Sequence, residues 1–234
     1  MNRVSPIRAL SGVPGLDELM DGGIPKGSLI VVSGDPGSGK TVLCMEYLYR
    51  GAESYNEPGI FISLEEEADE IIGMASYFGW DLKAQIAKGL LQIETIELYD
   101  FDKLKNTIET LTEKVKAKRV VIDPGVIFRL YFEKELDARK RILSLGKMLK
   151  KLGVTSVITN EIAVDSGSSL FGLEEYVADG VILLYHTKLK ERFIRGIGIL
   201  KMRNSRISET LHPVKIDRDG LHVLAGQELF EEIK

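Results

Sequence analysis

The chain of 234 residues is 44% hydrophobic and 28% charged with a net charge of −4, enough apolar content and length for a sizeable globular core. Its acidic balance argues against a surface built for nonspecific nucleic-acid binding, though it leaves room for a local basic groove. The single cysteine excludes an intramolecular disulfide framework. Three scattered histidines (His186, His212, His222) argue against a His/Cys metal cluster, and no apolar run is long enough to span a bilayer. Met1 to Leu10 lacks a signal-peptide core, so no membrane insertion and a cytoplasmic location are expected.

In chain order, the first strong signal is Leu29-Ile30-Val31-Val32, an apolar strand-like run, followed by Gly34-Asp35-Pro36-Gly37-Ser38-Gly39-Lys40-Thr41 and a helix-compatible stretch from Thr41 to Arg50. Strand, glycine-rich loop and helix in this order form a phosphate-binding loop. The glycines let backbone N–H groups approach phosphate oxygens, and the helix N-terminus adds its positive dipole end. Gly37, Ser38, Gly39, Lys40, Thr41 and Val42 are therefore candidate nucleotide-binding residues. Lys40 can reach the β- and γ-phosphates, which makes it a catalytic candidate, and the Thr41 hydroxyl can ligate Mg²⁺. ATP and Mg²⁺ are the expected cofactors. Cys44 falls inside the helix and is expected to pack rather than react.

Gly59 to Leu64 reads as the next strand, Glu67 to Phe78 as a helix and Leu90 to Ile96 as a further strand. Leu104, Ile108, Leu111 and Val115 share one helical face. The cluster Lys114–Arg119 then reads as a solvated helix end, where cations suit the dipole. Arg119 to Asp123 is a buried-type strand, followed by a helix with Leu136, Ile142, Leu145, Leu149 and Leu152 on its apolar face. Val154 to Thr159 and Val181 to Tyr185 are core strands, and from Ile194 to near Leu224 the pattern changes to strands joined by short turns. The alternation implies an α/β fold, with a mostly parallel central sheet flanked by helices and antiparallel C-terminal strands. With no linker or internal repeat, residues 1–234 read as one domain.

Two sets of carboxylates belong with the loop. Asp123 ends a strand at the sheet edge where open α/β folds bind ligands, and it can hold Mg²⁺ beside Thr41. Glu65 and Glu66 end the strand-like run Phe61-Ile62-Ser63-Leu64, where a carboxylate can orient and polarise an attacking water. Side chains alternate along a strand, so one of the pair is expected to face the γ-phosphate. The alternative is an acidic helix start at Glu65-Glu66-Glu67.

Beyond the loop, Gly12-Val13-Pro14-Gly15-Leu16-Asp17-Glu18-Leu19, Gly22-Gly23-Ile24-Pro25-Lys26-Gly27 and Glu57-Pro58-Gly59-Ile60-Phe61-Ile62-Ser63-Leu64-Glu65-Glu66 resemble KaiC-type ATPases of the RecA superfamily. Phe78-Gly79-Trp80-Asp81-Leu82 and Leu200-Lys201-Met202-Arg203 extend the likeness. The resemblance implies a RecA-like core assembled as a ring, usually a homohexamer, with ATP between subunits. It places Glu65 where the superfamily keeps its water-activating glutamate, and Glu66 completes a paired-glutamate motif. It places Lys201 and Arg203 on a Lys-x-Arg that reaches the neighbour's γ-phosphate, where added positive charge offsets the charge developing on the phosphoryl group. Ser205 and Asp217 fall where relatives touch nucleotide. The alternative for Lys201 and Arg203 is a polar strand face.

Departures from the pattern are equally specific. Clock members carry two such domains, whereas this chain reads as one. Glu175-Tyr176 stands where their second domain has a phosphorylated Ser/Thr pair. Asn160-Glu161 stands where recombinases have a γ-phosphate-sensing glutamine, and Pro124 follows Asp123 where relatives have a small hydroxyl residue. Pro124 has no N–H and a fixed φ, which changes the backbone beside the expected metal ligand. The sequence therefore points to an ATP-hydrolysing regulatory ring with a protein partner that the sequence does not name. Two alternatives are a recombinase-like DNA-binding ATPase and an autokinase or nucleotide-gated scaffold. The loop Val164–Leu173 has Asp165 and no Lys or Arg, which is poor for phosphate contacts to DNA.

Overall fold

A computed structural model describes residues 6–96, 101–124, 135–161 and 177–229. A short hairpin comes first, β1 (Arg8–Ala9) pairing antiparallel with β2 (Ile24–Pro25) around a 3-10 turn at Asp17–Met20. Then follow β3 (Leu29–Gly34), α1 (Lys40–Tyr55), β4 (Gly59–Ser63), α2 (Ala68–Tyr77), α3 (Leu82–Ala87), β5 (Leu91–Thr95) and α4 (Phe101–Val115). The remainder is β6 (Arg119–Asp123), α5 (Glu135–Leu152), β7 (Thr155–Glu161), β8 (Gly180–Leu189), β9 (Arg192–Met202), β10 (His212–Asp217) and β11 (Gly220–Val223).

Among the described residues the main sheet has nine strands in the order β11-β10-β9-β8-β3-β7-β6-β4-β5. From β8 to β5 every neighbouring pair is parallel, and β8-β9, β9-β10 and β10-β11 are antiparallel. The expected mixed α/β architecture is therefore present. The antiparallel part starts earlier than Ile194, because β9 begins at Arg192 and folds straight back on β8.

One face of the sheet packs Leu43, Tyr47 and Leu48 of α1 against Ile30, Val32, Val121 and Val157. The other packs Leu104 and Ile108 of α4, with Ile142, Leu145 and Leu149 of α5, against Ile60, Ile62, Val120 and Ile122. Parallel strands covered on both faces need no alternation, which is why β3, β4 and β6 are buried at every position. Leu136, expected on the apolar face of α5, is 62% exposed; it sits in the first turn of α5. The short hairpin and α3 escaped sequence reading because two-residue strands and a six-residue helix carry too little periodicity. Among the described residues no helix is long and apolar enough to cross a membrane.

Arg119 corrects the reading of Lys114–Arg119 as a solvated helix end. Lys114, Lys116 and Lys118 are exposed, but Arg119 is fully buried as the first residue of β6. Its guanidinium donates to Glu57 Oε2 at 2.9 and 2.6 Å, to the Tyr47 carbonyl at 2.7 Å and to the Leu10 carbonyl at 2.9 Å. It also lies 4.5 Å from the Tyr47 ring centroid. Gly51 makes room for it, since a Cβ there would stand 2.6 Å from Arg119 Cδ. A mid-helix glycine costs about 1 kcal/mol against alanine. That cost is small beside stranding a buried guanidinium.

Arg119→Ala is expected to destabilise the fold by about 3–5 kcal/mol, because Glu57 Oε2 and two carbonyls lose their donor and Glu57 keeps only Lys26. Burial alone would raise the Glu57 pKa, but hydrogen bonds from Lys26 and Arg119 outweigh it and hold it below the ordinary 4.5. Its charge therefore stabilises the fold above the unfolded pKa, and that contribution disappears as pH falls through the lower folded value. Chemical denaturation at pH 7 and at pH 3 should show Glu57→Gln weaker than wild type at the first and close to it at the second.

Candidate nucleotide site

The phosphate loop leaves β3 at Gly34, level with Glu161 of β7 and Leu184 of β8. A Cβ on Gly34 would stand 2.2 Å from the Leu184 carbonyl oxygen, so only glycine fits. Gly37 and Gly39 have φ of +73° and +103°, the left-handed turn that carries the chain into α1. No side chain caps the N-terminus of α1 at Gly39, which leaves its first N–H groups for an anion. Lys40 lies back across the loop and donates to the carbonyls of Gly34 and Asp35, both at 3.0 Å. Burial lowers its pKa, while Glu161, Asp123 and Asp35 act in the opposite direction. An incoming polyphosphate would supply the compensation that two carbonyls provide only in part. Cys44 is fully buried, in line with a packing role.

Asp123 and Thr41 come together as expected. Thr41 Oγ1 donates to Asp123 Oδ2 at 2.8 Å, and the Thr159 hydroxyl donates to the other carboxylate oxygen. Burial pushes the Asp123 pKa up, against the hydrogen bonds of Thr159 and Thr41 and the charge of Lys40. A buried carboxylate short of positive charge, beside a threonine hydroxyl and next to the phosphate loop, is a donor set that fits a hard divalent cation. The Asp123–Pro124 peptide is cis, and the carboxylate meets Thr41 with Pro124 in place.

Glu65 and Glu66 form a turn beyond β4, and the helix cap is the next residue. Glu67 caps α2 in a capping box with Glu70, so the acidic pair precedes the helix rather than starting it. Ser63 fixes the turn: its hydroxyl accepts from the Glu66 N–H at 2.9 Å and donates to the Glu66 carbonyl at 2.6 Å. Thr95 donates to the same carbonyl at 3.2 Å. Ser63 lies opposite Asp123 across the sheet, which brings the turn to the carboxylate. Glu65 is exposed; Glu66 is half-buried. Burial, then Asp123, then Glu65 and Glu70 push the Glu66 pKa up.

Two residues not singled out from the sequence brace the loop. His186 and Arg195 face each other across the β8-β9 hairpin. The His186 N–H donates to Asp35 Oδ2 at 3.3 Å, and Arg195 Nε donates to the Gly37 carbonyl at 3.2 Å. Only strand register pairs them, and no local spacing signals that. Ile216 packs against Gly39, a Cβ on which would meet Ile216 Cδ1 at 2.8 Å. Asp217, the next residue, lies exposed at that end of β10.

The other expected residues sit elsewhere on the chain. Lys201 pairs with Val181, which pairs with Val31, three residues before Gly34; that is about 10 Å short of the loop along the strands. Lys201 Nζ donates to the Ala178 carbonyl at 2.6 Å, and Arg203 Nη1 donates to Asp179 Oδ1 at 3.1 Å. Ser205 Oγ accepts from Arg8 Nη1 at 2.7 Å. All three belong to the sheet edge opposite the loop. Asn160 is buried and Glu161 exposed at the end of β7. The loop Val164–Leu173 and the pair Glu175-Tyr176 lie outside the described residues.

A family model described as "ATPase: KaiC" matches residues 9–228. The chain belongs to the KaiC ATPase family. Nucleotide binding and a RecA-like fold go with that membership. The chain is 35% identical over 224 residues to a "Circadian clock oscillator protein KaiC" of Parathermosynechococcus lividus, covering 91% of this chain and 41% of that protein. It is 34% identical over 233 residues to a protein of the same name from Nostoc sp., covering 95% of this chain and 44% of that one. It thus spans less than half the length of these curated KaiC relatives. A solved KaiC-like protein of the archaeon Pyrococcus horikoshii superposes with a TM-score of 0.86 at 34% identity, over 93% of this chain and 99% of that one.

The raised Asp123 pKa has a stability consequence. A carboxylate whose folded pKa lies above its unfolded value, near 3.8, costs the fold stability at pH above both and nothing at pH below both. Asp123→Asn is therefore expected to raise the melting temperature of the nucleotide-free protein at pH 7, with the gain vanishing in acid, and to weaken stabilisation by Mg²⁺ and ATP.

Proposed function

We propose that this KaiC-family chain hydrolyses ATP with Mg²⁺ in a homohexameric ring, at a site whose second half comes from the neighbouring copy. One observation carries this reading. Lys40, Thr41, Asp123 and the Glu65-Glu66 turn share one edge of the sheet, while Lys201 and Arg203 project from the opposite edge. Two edges of one rigid sheet cannot close on one nucleotide, but the edges of two copies can.

In this mechanism the N–H groups of the loop and of the start of α1 cradle the phosphates, and Lys40 leaves the Gly34 and Asp35 carbonyls for the β- and γ-phosphates. Thr41 and Asp123 would hold Mg²⁺, which when bound would supply positive charge against the phosphates. Glu65 is the base that orients and polarises the attacking water, and Glu66, half-buried beside Asp123, completes the acidic pair. Lys201 and Arg203 of the neighbouring copy offset charge developing on the transferred phosphoryl group, an effect worth roughly a thousandfold or more in kcat. Gly37, Ser38, Gly39 and Val42 shape the cradle, Asp217 borders it in the same chain, and Ser205 lies with the neighbour's cations. A ring of this kind acts as a regulatory ATPase, with a protein partner that reads its nucleotide state.

Lys40→Ala should abolish binding of a fluorescent ATP analogue. Glu65→Gln should bind ATP normally with kcat lowered about a hundredfold or more; wild-type turnover would remove Glu65 from the role. Arg203→Ala should lower kcat with nucleotide affinity in the isolated chain unchanged. Wild-type specific activity should rise with protein concentration through the assembly range, and a constant value would contradict a shared site.

A further inference from the structure

The cations at the far edge depend on a defect in the strand that carries them. Between β8 and β9, Ile182 pairs with Ile199, but Val181 pairs with Lys201, so Leu200 has no partner across the ladder. This is a β-bulge, and it reverses the alternation of β9 at that point. Ile197 and Ile199 face the α1 side of the sheet, and so does Met202. Strict alternation would put Lys201 and Arg203 on that side and send Met202 out. With the bulge, Lys201 faces the side of Val181, Val31 and Ala178, and Leu200 is left 47% exposed.

On that side Arg203 meets a buried carboxylate, Asp179, and Lys201 donates to the carbonyl of the residue before it, Ala178. Asp179 is only 7% exposed and is pinned on every polar side. Its N–H donates to the Leu29 carbonyl at 2.8 Å, its carbonyl accepts from the Arg203 N–H at 2.9 Å, and its Oδ2 accepts from the Leu29 N–H at 3.0 Å. Its Oδ1 takes Lys150 Nζ of α5 at 2.7 Å and Arg203 Nη1 at 3.1 Å. Burial would raise the Asp179 pKa, but the hydrogen bonds from Lys150 and Leu29 outweigh it, so the group stays ionised. Burial and the charge of Arg203 lower the Lys201 pKa. Lys150 and Arg203 pair with Asp179 while Lys201 sits on the neighbouring Ala178 carbonyl, so these four side chains carry an excess of two positive charges.

We propose that Asp179 is a positioning residue for the shared site, that Lys150 is its counter-charge, and that the Leu200 bulge aims the group at the neighbour's γ-phosphate; this rests on the two-copy reading above. Asp179 grips one edge of the Arg203 fork and leaves the remaining N–H donors, with the side chain 55% exposed, directed outward. Lys150 cancels the charge of Asp179, so the pull of Arg203 on an incoming phosphate is not spent on its own holder, and Lys201 on the Ala178 carbonyl adds to that pull. Fixing a cation before the phosphate arrives removes reorganisation from the transition state.

The test is a set of kcat and KM measurements on full-length Asp179→Asn and Lys150→Met, each alone and combined with Arg203→Ala. Asp179→Asn keeps an acceptor for the Leu29 N–H, and Lys150 is a half-exposed surface residue whose loss leaves the core intact. The expected result is a fall in kcat on the order of tenfold for Asp179→Asn and a smaller fall for Lys150→Met, with KM for ATP unchanged. Both effects should vanish in the Arg203→Ala background. Falls that persist undiminished in that background, or wild-type kcat in both single variants while Arg203→Ala is impaired, would overturn this inference alone. Wild-type kcat in Arg203→Ala would overturn the shared-site reading itself.

Discussion

Strand β6 begins on a buried guanidinium and ends on a buried carboxylate, and much of the molecule is arranged to satisfy those two charges. Burying an ion costs several kcal/mol unless its hydrogen bonds are met. Arg119 meets its needs by drawing in Glu57, the Tyr47 carbonyl of α1 and the Leu10 carbonyl of the N-terminal segment. That fixes the middle of α1 against the sheet. Asp123, at the other end of the same strand, is met by Thr41 at the start of α1 and by Thr159 of β7. The phosphate loop is thus held at a set distance from its acidic partner by a strand and a helix clamped at both ends.

The antiparallel strands serve a different purpose from the parallel ones. Parallel strands all deliver their C-terminal ends to the loop edge, where Gly34, Ser63 and Asp123 gather. A strand that returns antiparallel necessarily delivers its C-terminal end to the opposite edge, and β9 does so with Lys201, Met202 and Arg203. One sheet therefore carries the loop, Thr41 and Asp123 at one edge and Lys201 and Arg203 at the other, the separation on which the proposed two-copy site rests. The bulge at Leu200 then decides which face of that edge carries the charge.

What could be read from the sequence follows the range of the interactions involved. The loop Gly34–Thr41, the strand end at Asp123 and the helical face of α4 are local patterns, and all three stand where expected, while the strand read as Gly59 to Leu64 ends one residue earlier, at Ser63. Arg119 closes a run of cations and also opens a buried-type strand, and the strand reading holds; a run of cations looks the same whether its last member is solvated or buried, and the deciding partner, Glu57, is far away in sequence. His186 and Arg195 reach the loop only through hairpin register, and Asp179 meets Arg203 only after β8 and β9 have folded back on each other. Alternation in β9 could not warn of the bulge, because Gly196 and Gly198 hide the strand's apolar period.

The central claim is that one site is built from two copies, and mixed assemblies test it most directly. A chain with Glu65→Gln and Glu66→Gln keeps its cations but lacks the water-activating side, and a chain with Lys201→Ala and Arg203→Ala has the opposite defect. Each alone should be inactive. Mixed in equal amounts and reassembled with ATP, they should recover about a quarter of wild-type turnover, because one neighbour pairing in four joins two intact halves in a random ring. Turnover no greater than the sum of the two separate variants, with mixed assembly verified, would contradict the account.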